Sequence, residues 1–370
     1  PFLFNNITYL DNGATTLKPL VVVKKIEEYY TEYTSNAHRG DYKTSLKVDT
    51  EYELARNKVQ EFINAKSRKE VVFTSGATES LNYIATGFFS NILEPGDEIL
   101  ITKSEHASNV LPWFRLAREL NLEVNYIPLD NNYYVTVENV LKSITPKTKV
   151  IALAQVTNVI GDLRPIKEIA HIAHERGIFL VVDGAQSVPH MKIDVQDLDC
   201  DFLAFSAHKL CGPTGVGVLY GKEELLQEME PVNLGGGMNE SFDDVYLKSL
   251  PTRLEAGTPN IAGVIGLGAA IDYLNKIGMD NILEHERELR KYLVNKLVDI
   301  KHIDIINLES DTGIVAFNVG AGNHCAKILK DAVGVKNTCR VSLYFYNTKE
   351  EIDRLVELLS DKNRILKEMI

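Results

Sequence analysis

A lysine, an aspartate and a histidine in this 370-residue chain each stand just past the end of a short apolar run. In Asp201–Gly217 (DFLAFSAHKLCGPTGVG) the run Phe202–Phe205 leads into Ser206, Ala207, His208 and Lys209, then into a turn rich in Gly and Pro. Phe179–Val182 leads in the same way into Asp183, Gly184, Ala185 and Gln186, and Glu98–Thr102 leads into Lys103, Ser104, Glu105 and His106. A lone lysine is usually a solvated surface group, and a lone aspartate in such a place usually caps a turn. Together they supply an amine that can form a Schiff base, an acid that can keep a heteroaromatic nitrogen protonated, and a flat imidazole that can stack and carry protons.

Those three roles are what a pyridoxal 5'-phosphate (PLP) site requires. The phosphate needs backbone N–H groups and hydroxyls. Ser75-Gly76-Ala77-Thr78, between an apolar run and a helical stretch, supplies both, and Ser206 and His208 add to them. Asn158 and Gln186 are candidates for the ring hydroxyl; for either amide taken singly, a satisfied turn residue is as good an account.

The positions of these residues matter only if the runs before them are strands of one sheet. Glu70–Thr74, Glu98–Thr102, Val124–Pro128, Val150–Ala154, Phe179–Val182, Phe202–Phe205 and Val216–Tyr220 are short, apolar and separated by helical patterns such as Ile166–Arg176. That alternation predicts a largely parallel α/β sheet covered by helices, whose carboxyl edge binds ligands. After Gly257 the pattern changes to two long helices, Ile261–Ile277 and Asp280–Leu297. Short strands near Ile303–Ile306 and Ile314–Val319 follow, then a last helix from about Lys349. We therefore expect a large PLP-binding α/β domain over 1–260 and a small α+β domain over 261–370, with the N-terminal segment packed on the small one.

The chain is 45% hydrophobic and carries a net charge of -11, which argues against nucleic acid or an anionic membrane as partner. No apolar run has the roughly 20 residues of a membrane span. Pro1–Asn6 has no signal-peptide character and lacks an initiator Met, as if the natural chain begins earlier. Four scattered cysteines suggest neither a disulfide framework nor a metal site, so a reducing cytoplasm is expected.

Beyond these readings the sequence resembles the class V aminotransferase-fold enzymes, and within them the Suf-type cysteine desulfurases. The resemblance spans almost the whole chain: Tyr9–Thr15, Asn36–Gly40, Phe73–Asn82, Glu105–Trp113, Thr157–Gly161, Val182–Gln186, Ser206–Gly217, Glu255–Asn260, Asn323–Ala326 and Cys339–Asn347 occur in family order. It implies the fold type I PLP-transferase architecture, a large mostly parallel α/β/α domain with a small α+β C-terminal one. Lys209 would carry the cofactor, Asp183 would face the ring nitrogen, His106 would stack, and Gln186 and Asn158 would lie by the ring. Ala77, Thr78, Ser206 and His208 would hold the phosphate, with Thr258 reaching the other subunit's cofactor in a homodimer. Arg340 would take the substrate carboxylate near Asn158, with His38 lining the same entrance. Cys325 would be the nucleophile that takes sulfur from L-cysteine, leaving L-alanine and a persulfide for a sulfur-acceptor protein of the Suf system and iron–sulfur cluster assembly. A selenocysteine lyase, or a non-catalytic sulfur-transfer partner of the same fold, are the alternatives.

The sequence departs from the family in one place. Ile314–Val319 is followed at once by Gly320-Ala321-Gly322-Asn323-His324-Cys325, without the helix, strand and arginine-containing turn of about two dozen residues that the resemblance implies. Losing such a unit outright would expose core surface at a cost beyond ordinary marginal stability. A sequence closed over a missing segment is therefore the favoured reading, and a Cα–Cα separation after Val319 well above ~3.8 Å would mark it.

Overall fold

The structure is a computed structural model and describes residues 7–37, 40–239, 247–319 and 338–361. Seven strands form the main sheet: β1 (Val71–Thr74), β2 (Glu98–Ile101), β3 (Glu123–Tyr126), β4 (Thr148–Ala154), β5 (Phe179–Asp183), β6 (Phe202–Ser206) and β7 (Gly217–Gly221). Their order is β1-β7-β6-β5-β4-β2-β3. The expected parallel pairing holds for β2–β3, β2–β4, β4–β5 and β5–β6, whereas β7 runs antiparallel to both β6 and β1.

Successive side chains of a strand point to opposite faces, and both faces of this sheet are covered, so the strands are apolar throughout. Val72, Ile99, Ile101, Val150, Ala152, Val181, Phe202, Ala204 and Leu219 face one layer, which contains Leu81, Phe88, Phe89, Trp113 and Leu116. Their neighbours Val71, Phe73, Leu100, Ile151, Leu153, Leu180, Val182, Leu203, Phe205, Val218 and Tyr220 face the other. That layer includes the helices Lys43–Phe62, Ile166–His174 and Ile261–Ile277. The last of these begins where Asn260 Oδ1 accepts the Gly263 N–H at 3.0 Å and ends at Gly278, whose φ of 91° favours glycine.

A second sheet, β10-β9-β8, is antiparallel and uses β8 (Asp304–Ile305), β9 (Ile314–Asn318) and β10 (Cys339–Ser342). Leu289, Leu293 and Leu297 of the Met279–Leu297 helix and Ile352 and Leu359 of the Lys349–Ser360 helix cover it. The early residues of the chain reach this part: Asp11 bridges to Ser342, Asn12 Nδ2 donates to the Ser342 carbonyl at 2.7 Å, and the Gly13 N–H donates to Ser342 Oγ at 2.7 Å. A buried His190–Glu286 pair at 2.9 Å adds a second tie between the two sheets' layers. The junction after Val319, where the sequence is short against its family, lies outside the described residues.

Candidate active site

Because β1, β2, β4, β5 and β6 point the same way, the loops that follow them meet at one edge. Gly217, the first residue of β7, pairs with Thr74 on one side and Ser206 on the other. A Cβ on Gly217 would fall 2.3 Å from Gly76 Cα. This close approach lets the Gly76 turn sit beside β6, where the Ala77 N–H donates to Ser206 Oγ at 2.8 Å. Thr78 is exposed at the head of the Ala77–Tyr83 helix, and its Oγ1 lies 2.7 Å from Ser108 Oγ. Backbone N–H groups and three hydroxyls, those of Ser206, Thr78 and Ser108, thus form a cup at this end of the edge.

Asp183 closes β5 and is buried, with Oδ1 accepting the Ala185 N–H at 2.9 Å. Burial pushes its carboxyl up to about 6, against the opposing pull of the Ala185 N–H and of Lys209. Lys209 lies in the turn after β6, and burial lowers its ammonium below the ordinary value. Asp183 counters this, Arg340 adds to it and Asp11 counters it again. The amine is therefore readier to act as a neutral nucleophile than a surface lysine. His208 is driven down to about 4 by burial and by the charges of Lys209 and Lys18, so its ring stays neutral at physiological pH. The turn is held from outside by the N-terminal segment. The His208 carbonyl accepts from the Thr16 N–H at 3.0 Å, from the Thr15 and Thr16 hydroxyls, and from Lys18 Nζ at 2.8 Å. Gln186 donates Nε2 to the Gly13 carbonyl at 2.7 Å, while its buried Oε1 has no partner among the described residues.

His106 follows β2 on a loop anchored by a buried charge network. Glu105 and Arg164 are both fully buried and paired. Arg164 also reaches Asp162 Oδ2 at 3.1 Å, Ser104 Oγ at 2.7 Å and the Ala154 carbonyl at 3.2 Å. Glu105 accepts from Thr102 Oγ1 at 2.8 Å, Asn109 Nδ2 at 2.9 Å and the Ala154 N–H at 2.7 Å. Every polar atom of the pair that these bonds reach is satisfied inside the protein, which is what a buried ion pair requires. The network fixes the loop that carries His106, which is exposed at the edge and within electrostatic reach of Lys209 and Arg340. Partial desolvation of the ring where it lies against the protein, and then those two cations, lower its proton affinity, and Glu105 opposes them.

Arg340, on β10, brings the second sheet to the same place. Its Nη1 donates to the Asn158 carbonyl at 2.9 Å, and its Nη2 meets Asp11 Oδ1 at 2.6 Å. Thr258 is exposed, and its Oγ1 accepts from Asn36 Nδ2 at 3.3 Å. His38 and Cys325 lie outside the described residues. Of the other cysteines, Cys200 and Cys211 are fully buried and their thiols are pushed up to about 12; burial also raises the half-buried Cys339. None of these three offers a ready thiolate. Sequence reading overlooked Arg164, Ser108, Asp11 and Lys18. A charged or small polar residue in a loop reads as solvated; Asp11 and Ser108 carried a signal only through the matching stretches Tyr9–Thr15 and Glu105–Trp113.

The chain belongs to the Aminotransferase class-V family, which it matches over residues 8–321 and again over 316–355. The two stretches overlap at residues 316–321. The chain is 44% identical, over 372 residues, to a probable cysteine desulfurase of Halalkalibacterium halodurans, an alignment covering 95% of this chain and 92% of that relative. It is 41% identical to a cysteine desulfurase of Haloferax volcanii, covering 95% and 88%. Among solved structures it superposes on the apo cysteine desulfurase of Thermococcus onnurineus with a TM-score of 0.92 and 37% identity, covering 97% of this chain and 95% of that one. On the Escherichia coli cysteine desulfurase CsdA, in its S-sulfonic acid form, the TM-score is 0.91 at 36% identity, covering 100% and 97%.

The residues at the edge fit PLP. The cup of N–H groups and hydroxyls suits a phosphate, the buried carboxyl of Asp183 suits a protonated ring nitrogen, and the unpartnered Gln186 Oε1 suits a ring hydroxyl donor. Among the described residues no group of His, Cys, Asp and Glu could hold a metal ion, and no helix is long and apolar enough to cross a membrane.

Proposed function

We propose that the protein is a PLP-dependent cysteine desulfurase, a sulfurtransferase that converts L-cysteine to L-alanine. The observation that carries this reading is the meeting of half-buried Lys209 and buried Asp183, within electrostatic reach of each other, at the edge of a fold whose relatives are named cysteine desulfurases at 41–44% identity over 95% of the chain. When bound, the cofactor draws electrons from the substrate's α-carbon. Lys209 would hold the cofactor's aldehyde carbon and move the α-proton with its amine. Asp183 would keep the ring nitrogen protonated, Gln186 would accept the ring hydroxyl, and Ala77, Thr78, Ser206 and His208 would fix the phosphate. His106 would stack on the ring with Asn158 beside it. Arg340 would exchange its Asp11 partner for the substrate carboxylate, a bidentate pairing that orients the substrate.

Sulfur transfer falls to Cys325. Its thiolate attacks the substrate sulfur, the carbon–sulfur bond breaks, its electron pair stays with the carbon skeleton that becomes alanine, and the sulfur remains on Cys325 as a persulfide. The high proton affinities of Cys200 and Cys211 support this assignment by leaving them unsuited to the role. An acceptor protein of the Suf type would collect the sulfur for iron–sulfur cluster assembly in the cytoplasm. Thr258, exposed beside Asn36, supports a homodimer in which it reaches the other subunit's cofactor, and His38 would line the entrance. The test is Cys325→Ala. The visible PLP absorption is expected to persist while cysteine-dependent alanine and persulfide formation fall to background. Retained desulfuration in that variant refutes the assignment.

A further inference from the structure

Ser108 has one hydroxyl proton and two neighbours that can take it. Its Oγ lies 3.1 Å from His106 Nδ1 and 2.7 Å from Thr78 Oγ1. The Ser108 backbone N–H also donates to His106 Nδ1, at 3.2 Å. A ring nitrogen that accepts a backbone N–H carries no proton of its own, so neutral His106 is protonated on Nε2. Ser108 Oγ therefore meets Nδ1 as a donor, and Thr78 in turn donates to Ser108 Oγ. The three groups form a directed row from Thr78 through Ser108 to His106.

An anion at Thr78 turns that row around. An unprotonated phosphate oxygen only accepts, so it takes the Thr78 proton. Thr78 Oγ1 is then left as an acceptor, and the Ser108 proton swings to it. His106 Nδ1 keeps the backbone N–H alone. We propose that Ser108 is a positioning residue that couples the phosphate cup to the stacking histidine: an anion on Thr78 withdraws the Ser108 proton from His106 and raises the proton affinity of the ring. This rests on Thr78 being a phosphate ligand. The charged groups that face His106 are Lys209, Arg340 and Glu105, and a change at Ser108 removes none of them.

Ser108→Ala keeps the backbone N–H on Nδ1 and removes only the hydroxyl. The His106 titration midpoint is to be read by nitrogen-15 NMR in cofactor-free protein, assigned with His106→Gln, in wild type and Ser108→Ala, with and without saturating inorganic phosphate. The readout is the rise of the midpoint on adding phosphate, which is expected to be larger in wild type than in Ser108→Ala by about 0.7 pH unit, the worth of one neutral hydrogen bond. Phosphate that binds, seen at the Ala77 and Thr78 amides, yet shifts His106 equally in both proteins overturns the coupling and leaves the cup standing. No binding in wild type overturns the cup itself.

Discussion

Replacing Asp183 by asparagine should make the cofactor-free protein more stable while spoiling it as an enzyme. The carboxyl is buried and is pushed from 3.8 up to about 6. The folded protein therefore binds this proton more tightly than the unfolded chain. The stability it contributes below pH 3.8 is lost as pH rises through the window from 3.8 to about 6. At about 1.36 kcal/mol for each pH unit of that window, the full penalty above it is about 3 kcal/mol. Roughly half is already present at about pH 5, so the remaining change between pH 5 and pH 8 is about 1.5 kcal/mol. Asparagine keeps an oxygen for the Ala185 N–H and has nothing to ionise. The pull of the Lys209 ammonium on the carboxylate is already contained in that value of about 6 and needs no separate allowance. The pH dependence isolates the carboxylate. Urea unfolding of cofactor-free wild type and Asp183→Asn at pH 5 and pH 8 should show the gap between them shift in favour of the variant by about 1.5 kcal/mol. A gap that does not change with pH refutes the reasoning. With PLP bound, the charge finds a partner in the protonated ring nitrogen, and the variant should hold cofactor more weakly than wild type.

Gly217→Ala would drive a methyl into Gly76 backbone at 2.3 Å; it should cost about 1–3 kcal/mol and weaken PLP retention in an absorbance titration, whereas Gly235→Ala, with no neighbour closer than 3.6 Å, should be silent in both. Arg164→Met would strand the carboxylates of Glu105 and Asp162 in the interior; a loss of about 3–5 kcal/mol is expected by urea unfolding, and a loss below about 1 kcal/mol would show the network to be dispensable.

The cofactor end of the site was legible because parallel strands gather their carboxyl ends on one edge. Lys209, Asp183 and His106 each follow an apolar run, and the runs need only lie in one sheet for the three to meet. The direction of β7 was harder: Val216–Tyr220 is as apolar as a parallel strand. The connection from Ser206 to Gly217 does carry the answer, since it is too short for the helical crossover that parallel neighbours require. The strand Cys339–Ser342 escaped notice because four residues around a charged Arg340 show too little alternation. Nothing in sequence marks Arg164 as buried, because only the assembled loops supply the carboxylates that make its burial tolerable. The same holds for Ser108, whose role depends on two residues that are 2 and 30 positions away.

The two halves of the edge differ in when they can exist. Residues 71–221, which carry β1, β7, the cup, His106, Asp183 and Lys209, form one contiguous stretch. The Arg340 corner instead joins residues at opposite ends of the chain: Asp11 to Arg340, Asn12 to Asn347 and Gly13 to Ser342 are separated by 329, 335 and 329 positions. Contacts of such separation close late, and during synthesis they wait for the last part of the chain to emerge. A nascent chain would then pass through a period in which the cup and its lysine are in place and the arginine corner is not. Cofactor capture can precede the arrival of Arg340, and the order of assembly would itself guard against turnover by an unfinished protein.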